Sequence, residues 1–145
     1  MGGAKVIWKR CSRCGRRVEE GKTCTCRVGV ESAQKRTDGI RKQYHTEKWK
    51  HYREVALARY AHTDLYALYH DGIIRPADRV HHIIPVLDNP DRFYDMDNYL
   101  PCSDASHHEI HYRMKREGKE KIQQELFSYR DRYRNEHWER EPGGY

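Results

Sequence analysis

The sequence predicts a small α+β protein, in which a two-stranded β element packs against a helix, more helices flank it, and a cysteine knuckle precedes it. Three observations predict this. The run "VHHIIP" at residues 80–85 reads as a strand that Pro85 ends. From residue 106 the chain becomes a long, charged, helix-favouring stretch that opens with "SHHEIH". Four of the five cysteines lie between Cys11 and Cys26, far ahead of both. At 145 residues, 37% apolar and 34% charged, with a mean hydropathy of −1.13, the chain suits one domain with a modest core plus an appendage. Eleven Tyr and three Trp dominate the aromatics, and their polar handles suit wet interfaces.

The elements follow in order. Residues 1–27 form the knuckle: Cys11-x-x-Cys14 followed by Gly15, then Cys24-x-Cys26 after Gly21. Four thiolates this close can close a tetrahedral structural zinc site. The alternative is a pair of disulfides or a redox dithiol, which a reducing compartment disfavours. Residues 28–43 show no sustained period and read as a basic linker. Helices are expected over 44–70, with Trp49, Tyr52, Ala56 and Tyr60 spaced by three and four. Within that span Thr63 and Asp64 open a short second helix, and Gly72 closes it. A β-β-α core is expected over 79–117 and a C-terminal helix over 118–138, with Gly118 as the break between them. Pro142-Gly143-Gly144 reads as a frayed tail.

Charge is unevenly spread. Residues 1–53 hold 15 basic against 5 acidic side chains, residues 54–112 hold 4 against 10, and residues 113–145 hold 9 against 7. Basic flanks favour a phosphate backbone, while an acidic centre that holds most of the histidines favours a cation. The N-terminus lacks an apolar export segment and no run is long enough to span a bilayer, so a cytoplasmic setting without membrane contact is expected.

The histidines carry the chemistry. His81 and His82 are neighbours on a strand and therefore face opposite sides. His107 and His111 are four apart on a helix and share a face, which is a chelating spacing; His108 points elsewhere. A helix packed on the strand pair brings His81 to the same ion and leaves positions open for water and substrate.

"VHHIIP", "DMDNYLP" and "SHHEIH", in that order, resemble the signature of the HNH endonucleases, in particular the small enzymes of bacteriophages. The approach segment "YHTEKWKHYREVALARY … DGIIRPADRV" is similar as well, so the resemblance spans about residues 44–112. It implies a ββα-metal (His-Me finger) core and cleavage of DNA that depends on a divalent ion such as Mg²⁺ or Mn²⁺. By position it makes His82 the general base, His81, His107 and His111 the metal ligands, and Asn98 the brace that orients the base. It also implies a phage-encoded enzyme that nicks or cuts duplex DNA in the host cytoplasm, with terminase subunits as partners; no recognition element stands out in the sequence, so low sequence specificity is expected. Arg41, Lys42, Lys48 and Arg53 are the expected phosphate contacts. The other reading is a zinc-dependent DNA-binding or assembly protein whose HNH core does not cut.

One departure stands out. Many relatives hold a second zinc inside the core by two Cys-x-x-Cys pairs, and those four positions fall here on Leu65, Leu68, Ser103 and Ser106. No core zinc is therefore expected; Leu65 and Leu68 should pack in its place and a serine should cap the last helix. Cys102 reads as a lone buried thiol.

Overall fold

The computed structural model describes residues 6–138, without the side chains of residues 28–32; the tail at Pro142-Gly143-Gly144 lies outside that range. The chain divides into two compact units, Met1–Gln43 and Tyr44–Tyr145.

In the first unit, β1 (Trp8–Arg10) pairs antiparallel with β2 (Arg17–Glu19), Trp8 opposite Glu19 and Arg10 opposite Arg17. The turn between them carries Cys11 and Cys14 and closes through the Gly15 amide on the Cys11 carbonyl at 2.9 Å. Gly15 sits at φ +73, a left-handed conformation that few other residues adopt without strain. Then α1 runs from Thr25 to Gln43, so the linker expected over 28–43 is a helix. Its residues from Ala33 onward are exposed or half-buried, never buried. A helix without an apolar face leaves no period in the sequence, which is why it read as a linker. Its helix-forming residues Ala33, Gln34, Lys35 and Arg36 still favour it, and Arg41 and Lys42 in the last turn complement the helix dipole.

In the second unit, α2 (Glu47–Arg59) starts at Thr46, whose hydroxyl accepts the Trp49 amide at 3.1 Å. The chain then turns through Ala61 and His62, both with positive φ, so the helices over 44–70 are two. The second is a single turn that widens to π geometry over Ala67–Asp71 and ends at Gly72, φ +70. Asp64 caps it by accepting the Ala67 amide at 2.9 Å. Next, β3 (Arg79–His82) pairs antiparallel with β4 (Tyr99–Cys102), setting His81 opposite Leu100 and His82 opposite Tyr99. Ser103 caps α3 (Asp104–Glu117) by accepting the Ser106 amide at 3.2 Å. Gly118, at φ +105, separates α3 from α4 (Lys119–His137).

The core gathers Leu65, Tyr66, Ile83, Leu100, Ile110, Ile122 and Leu126 from the helical turn, the strands, α3 and α4. Each is almost fully buried, worth roughly 1.5–3 kcal/mol per aliphatic side chain. Leu65, Leu68, Ser103 and Ser106, where the resemblance put core zinc ligands, belong to this region. Leu65 is wholly buried and Leu68 packs against the cluster. Ser103 and Ser106 are buried and hydrogen-bonded to Asp64: its Oδ2 accepts the Ser103 amide at 2.9 Å and the Ser106 hydroxyl at 2.6 Å. One side chain thus ties the helical turn to the start of α3. No described helix is long and apolar enough to cross a membrane.

Candidate functional site

The strand alternation sends the two histidines to different surroundings. His81, 2% exposed, faces α3. Its ring centre lies 5.4 Å from that of His107 and 5.1 Å from that of His111. The ligand nitrogens of the three lie within 4.8 Å of one another, with Nε2 of His107 and His111 at 3.3 Å. His81 Nε2 is buried and has no hydrogen-bond partner among the described residues. A buried imidazole nitrogen left alone costs about 1–3 kcal/mol, and an ion between the three rings removes that cost. Burial first, and then the neighbouring imidazoles, holds His81 well below the ordinary histidine range. His107 is pushed down to about 4, by burial and then by His111; burial also lowers His111. All three are therefore neutral near pH 7, the form that binds metal. His108 turns away, its Nδ1 on the Asp104 carbonyl at 2.8 Å.

His82 points into an aromatic cage. Trp49 stacks on it at 5.2 Å between ring centres with planes 24° apart, and Phe93 and Tyr99 flank it at 5.1 Å. Its Nε2 lies 2.9 Å from the Phe93 carbonyl. A carbonyl only accepts, which assigns the proton to Nε2 and the lone pair to Nδ1. Tyr44 brings its hydroxyl to 3.3 Å from that Nδ1. Burial lowers the His82 pKa and the Phe93 bond opposes it. The Trp49 face favours an imidazolium on the same ring. Asn98, fully buried, holds the chain just after β3: its Oδ1 accepts the Ile84 amide at 2.8 Å and its Nδ2 donates to the Ile84 carbonyl at 2.9 Å. A cleft of about 420 Å³ opens onto His81, His82, His107, His111, Tyr44 and Trp49.

Of the expected phosphate contacts, Lys48 lies over the Tyr94 ring at 4.1 Å, and Arg53 donates to Glu54 at 3.1 Å. Arg41 and Lys42 are exposed at the end of α1. The sequence reading missed Tyr44, Trp49 and Phe93 around His82. Trp49 stood out only as an apolar position on a helix, and a backbone carbonyl leaves no signal at all.

The four knuckle cysteines are unpaired thiols whose sulfurs also lie within 4.8 Å of one another. Cys11 and Cys26 are 3.6 Å apart, and Cys14 and Cys24 are 3.5 Å apart. Zn–S bonds of ~2.3 Å in a tetrahedron space sulfurs ~3.8 Å apart, so this donor set fits zinc. The amides of Cys14 and Arg13 draw the Cys11 thiol down to about 6, and the Cys26 amide lowers Cys24. Cys26 is pushed up to about 12 by the neighbouring sulfurs. A cation would relieve that crowding of like charge.

No family model and no curated protein matches the chain. Among solved structures it is similar to the HNH endonuclease of the deep-sea thermophilic bacteriophage GVE2, determined with manganese ion. The TM-score is 0.56 at 28% identity, over 61% of this chain and 95% of that one. The match bears out the resemblance to the phage HNH endonucleases: this mixed helix-and-strand protein is similar to a nuclease.

Proposed function

We propose that the protein is a metal-dependent HNH endonuclease with a ββα-metal core, which hydrolyses phosphodiester bonds of DNA with little sequence preference. The observation that carries this reading is the buried His81 ring, whose Nε2 has no hydrogen-bond partner among the described residues and which offers a ligand nitrogen within 4.8 Å of those of His107 and His111. In this reading those three histidines hold a divalent ion, Mn²⁺, Mg²⁺ or similar. When bound, that ion supplies positive charge against the charge that develops on the phosphate and leaving oxygens.

His82 does the proton work. Its Nδ1 carries the lone pair, the Tyr44 hydroxyl yields that lone pair to water, and Nδ1 takes the proton as the water oxygen attacks phosphorus. The bond from phosphorus to the sugar oxygen breaks with its electron pair on that oxygen, which takes a proton from solvent. Phe93 holds the ring through its carbonyl, and Trp49 steadies the imidazolium that forms. Asn98 keeps the loop in place by clamping Ile84. Lys48, Arg53, Arg41 and Lys42 add backbone contacts. Residues 1–27 serve as a zinc knuckle and residues 44–145 as the nuclease domain. The likeness to a phage enzyme supports a phage origin and action in the host cytoplasm; a terminase partner is a further part of the reading, tested by adding terminase subunits to the cleavage assay.

Nicking of supercoiled plasmid tests the reading. Wild-type protein with Mg²⁺, Mn²⁺, Co²⁺, Ni²⁺ or Zn²⁺ should relax or linearise it, and chelator should stop the reaction. His82→Ala should cut at least 10²-fold more slowly yet still bind DNA. A plasmid left intact by wild type under every metal sinks the nuclease and leaves the DNA-binding protein.

A further inference from the structure

The first unit holds a second concavity, made of residues that the cleavage reaction does not use. It measures about 350 Å³ and lies between β1, the Gly21 turn and the start of α1. Four cations line it, Lys9, Arg10, Lys22 and Arg27, together with the hydroxyls of Ser12 and Thr23; no carboxylate does. Lys22 pairs with Glu19 at 2.6 Å, but its side chain is 70% exposed, so that pair is weak and readily exchanged. The Arg27 guanidinium donates to the neutral Ser12 hydroxyl at 2.5 Å, and Arg10 donates to the Gly15 carbonyl at 3.4 Å. Among the described residues, no acid pairs with Lys9, Arg10 or Arg27.

Crowding four cations around one cleft costs Coulomb energy unless something offsets it. Four thiolates around a divalent zinc, two of them on the lining residues Cys11 and Cys24, carry a net charge of about −2, and Glu19 adds one more against Lys22, so the cleft keeps a net positive charge among the described residues. The start of α1, at Thr25 beside the cleft, brings no acidic residue in its first turn, and its Cys26 amide already serves the Cys24 sulfur. The positive charge also extends beyond the cleft, because Arg13, Arg16 and Arg17 are exposed on the same small unit. More cations than one anion needs fit a polyanion better than a free metabolite.

We infer that this cleft is a binding site for a backbone phosphate of DNA, separate from the cleavage site and indifferent to base sequence. The inference rests on the nuclease reading only for its choice of DNA as the polyanion. Ammonium, guanidinium and hydroxyl groups suit phosphate oxygens. The knuckle is then a grip that keeps the enzyme on its substrate between cuts.

The test uses the full chain with His82→Ala, which holds DNA intact, and a labelled 30-base-pair duplex titrated at several salt concentrations. Lys9→Gln/Arg10→Gln/Lys22→Gln/Arg27→Gln should weaken binding at least tenfold at moderate salt. It should also flatten the log–log salt dependence by about 0.9 for each phosphate that is no longer neutralised, equally for two unrelated duplex sequences. Swapping the same positions charge for charge (Lys9→Arg, Arg10→Lys, Lys22→Arg, Arg27→Lys) should restore both. Where the fourfold variant loses its zinc, Lys9→Gln/Arg10→Gln and Lys22→Gln/Arg27→Gln made separately should each show part of the effect. Unchanged affinity and slope overturn the site, and so does an equal loss in the charge-for-charge variant, which marks a structural role. Loss of binding to a polyglutamate peptide with DNA affinity intact reassigns the cleft to an acidic protein and also overturns it. Plasmid nicking by wild type decides the nuclease reading separately, since the binding assay needs no cleavage.

Discussion

The four-cysteine and the three-histidine clusters are both sets of metal-ligating atoms within 4.8 Å, yet they are built in opposite ways. The cysteines come from one local stretch, Cys11 to Cys26, which supplies four ligand atoms, as many as a tetrahedral ion takes. The histidines come from β3 and α3, are held there by a core that packs without them, and supply three ligands only. A closed set suits a structural ion, and an open set leaves room for water and a phosphate oxygen. The packing tells the same story. In the first unit Cys11 and Cys24 are the only buried side chains among the described residues, whereas the second unit buries Leu65, Ile83, Leu100, Ile110, Ile122 and Leu126. The first unit should therefore fold around its ion, and the second should receive its ion after folding.

The sharpest way to break this contrast is to remove the closed set. Cys11→Ser/Cys14→Ser should lose one zinc per chain by elemental analysis and unfold β1, β2 and the start of α1. The loss is on the order of 10 kcal/mol of metal-coupled folding. Hydrogen exchange should show the protection of residues 8–30 gone and that of β3, β4 and α3 unchanged. Protection that survives in the first unit without zinc would show that the unit does not depend on its ion.

A second test attacks the claim that the nuclease-like unit stands without a core metal. Asp64 takes three donors at once, from Ala67, Ser103 and Ser106. Asp64→Ala leaves them buried and unpaired, at a cost of roughly 3–5 kcal/mol, read as a lower denaturation midpoint with an unchanged slope. Asp64→Asn keeps an acceptor on one side and should lose less. Wild-type stability after Asp64→Ala would mean that the packing of Leu65 and Leu68 alone replaces the metal.

Asp64 also shows where sequence reading stops. Its cap on the following turn was legible, because a cap is a local pattern of residue types. Its hold on Ser103 and Ser106, 39 and 42 residues away, has no period and no spacing rule. The histidine site was legible for the reverse reason: strand alternation and the i,i+4 helix spacing fix which histidines share a face, and the order of the motifs supplied the rest. The α1 helix was hidden because none of its described residues from Ala33 onward is buried. The cage around His82 was hidden because Trp49, Phe93 and Tyr99 meet only through tertiary packing.

The smallest effect expected is a pH dependence confined to the open set. In metal-free protein His107 titrates at about 4 when folded, against ~6.5 for an unfolded histidine. Between those values the unfolded chain binds the extra proton and the folded one does not, so stability must rise with pH across the window. The His107 contribution is complete above pH 6.5 and is lost as pH falls toward 4. His81, lowered further by burial, loses its share over a window that reaches lower. With partial solvent screening, the His107 part is on the order of 1–2 kcal/mol. It is measurable as a fall in the thermal midpoint of chelated protein between pH 7 and 5, before most carboxylates titrate. His107→Gln should flatten that fall, while wild type and variant converge toward pH 5. Parallel pH curves would mean that His107 is not kept neutral by burial against its neighbours. The three rings would then be an ordinary solvated patch, and the contrast between an ion that builds its unit and an ion that uses a finished one would lose its second half.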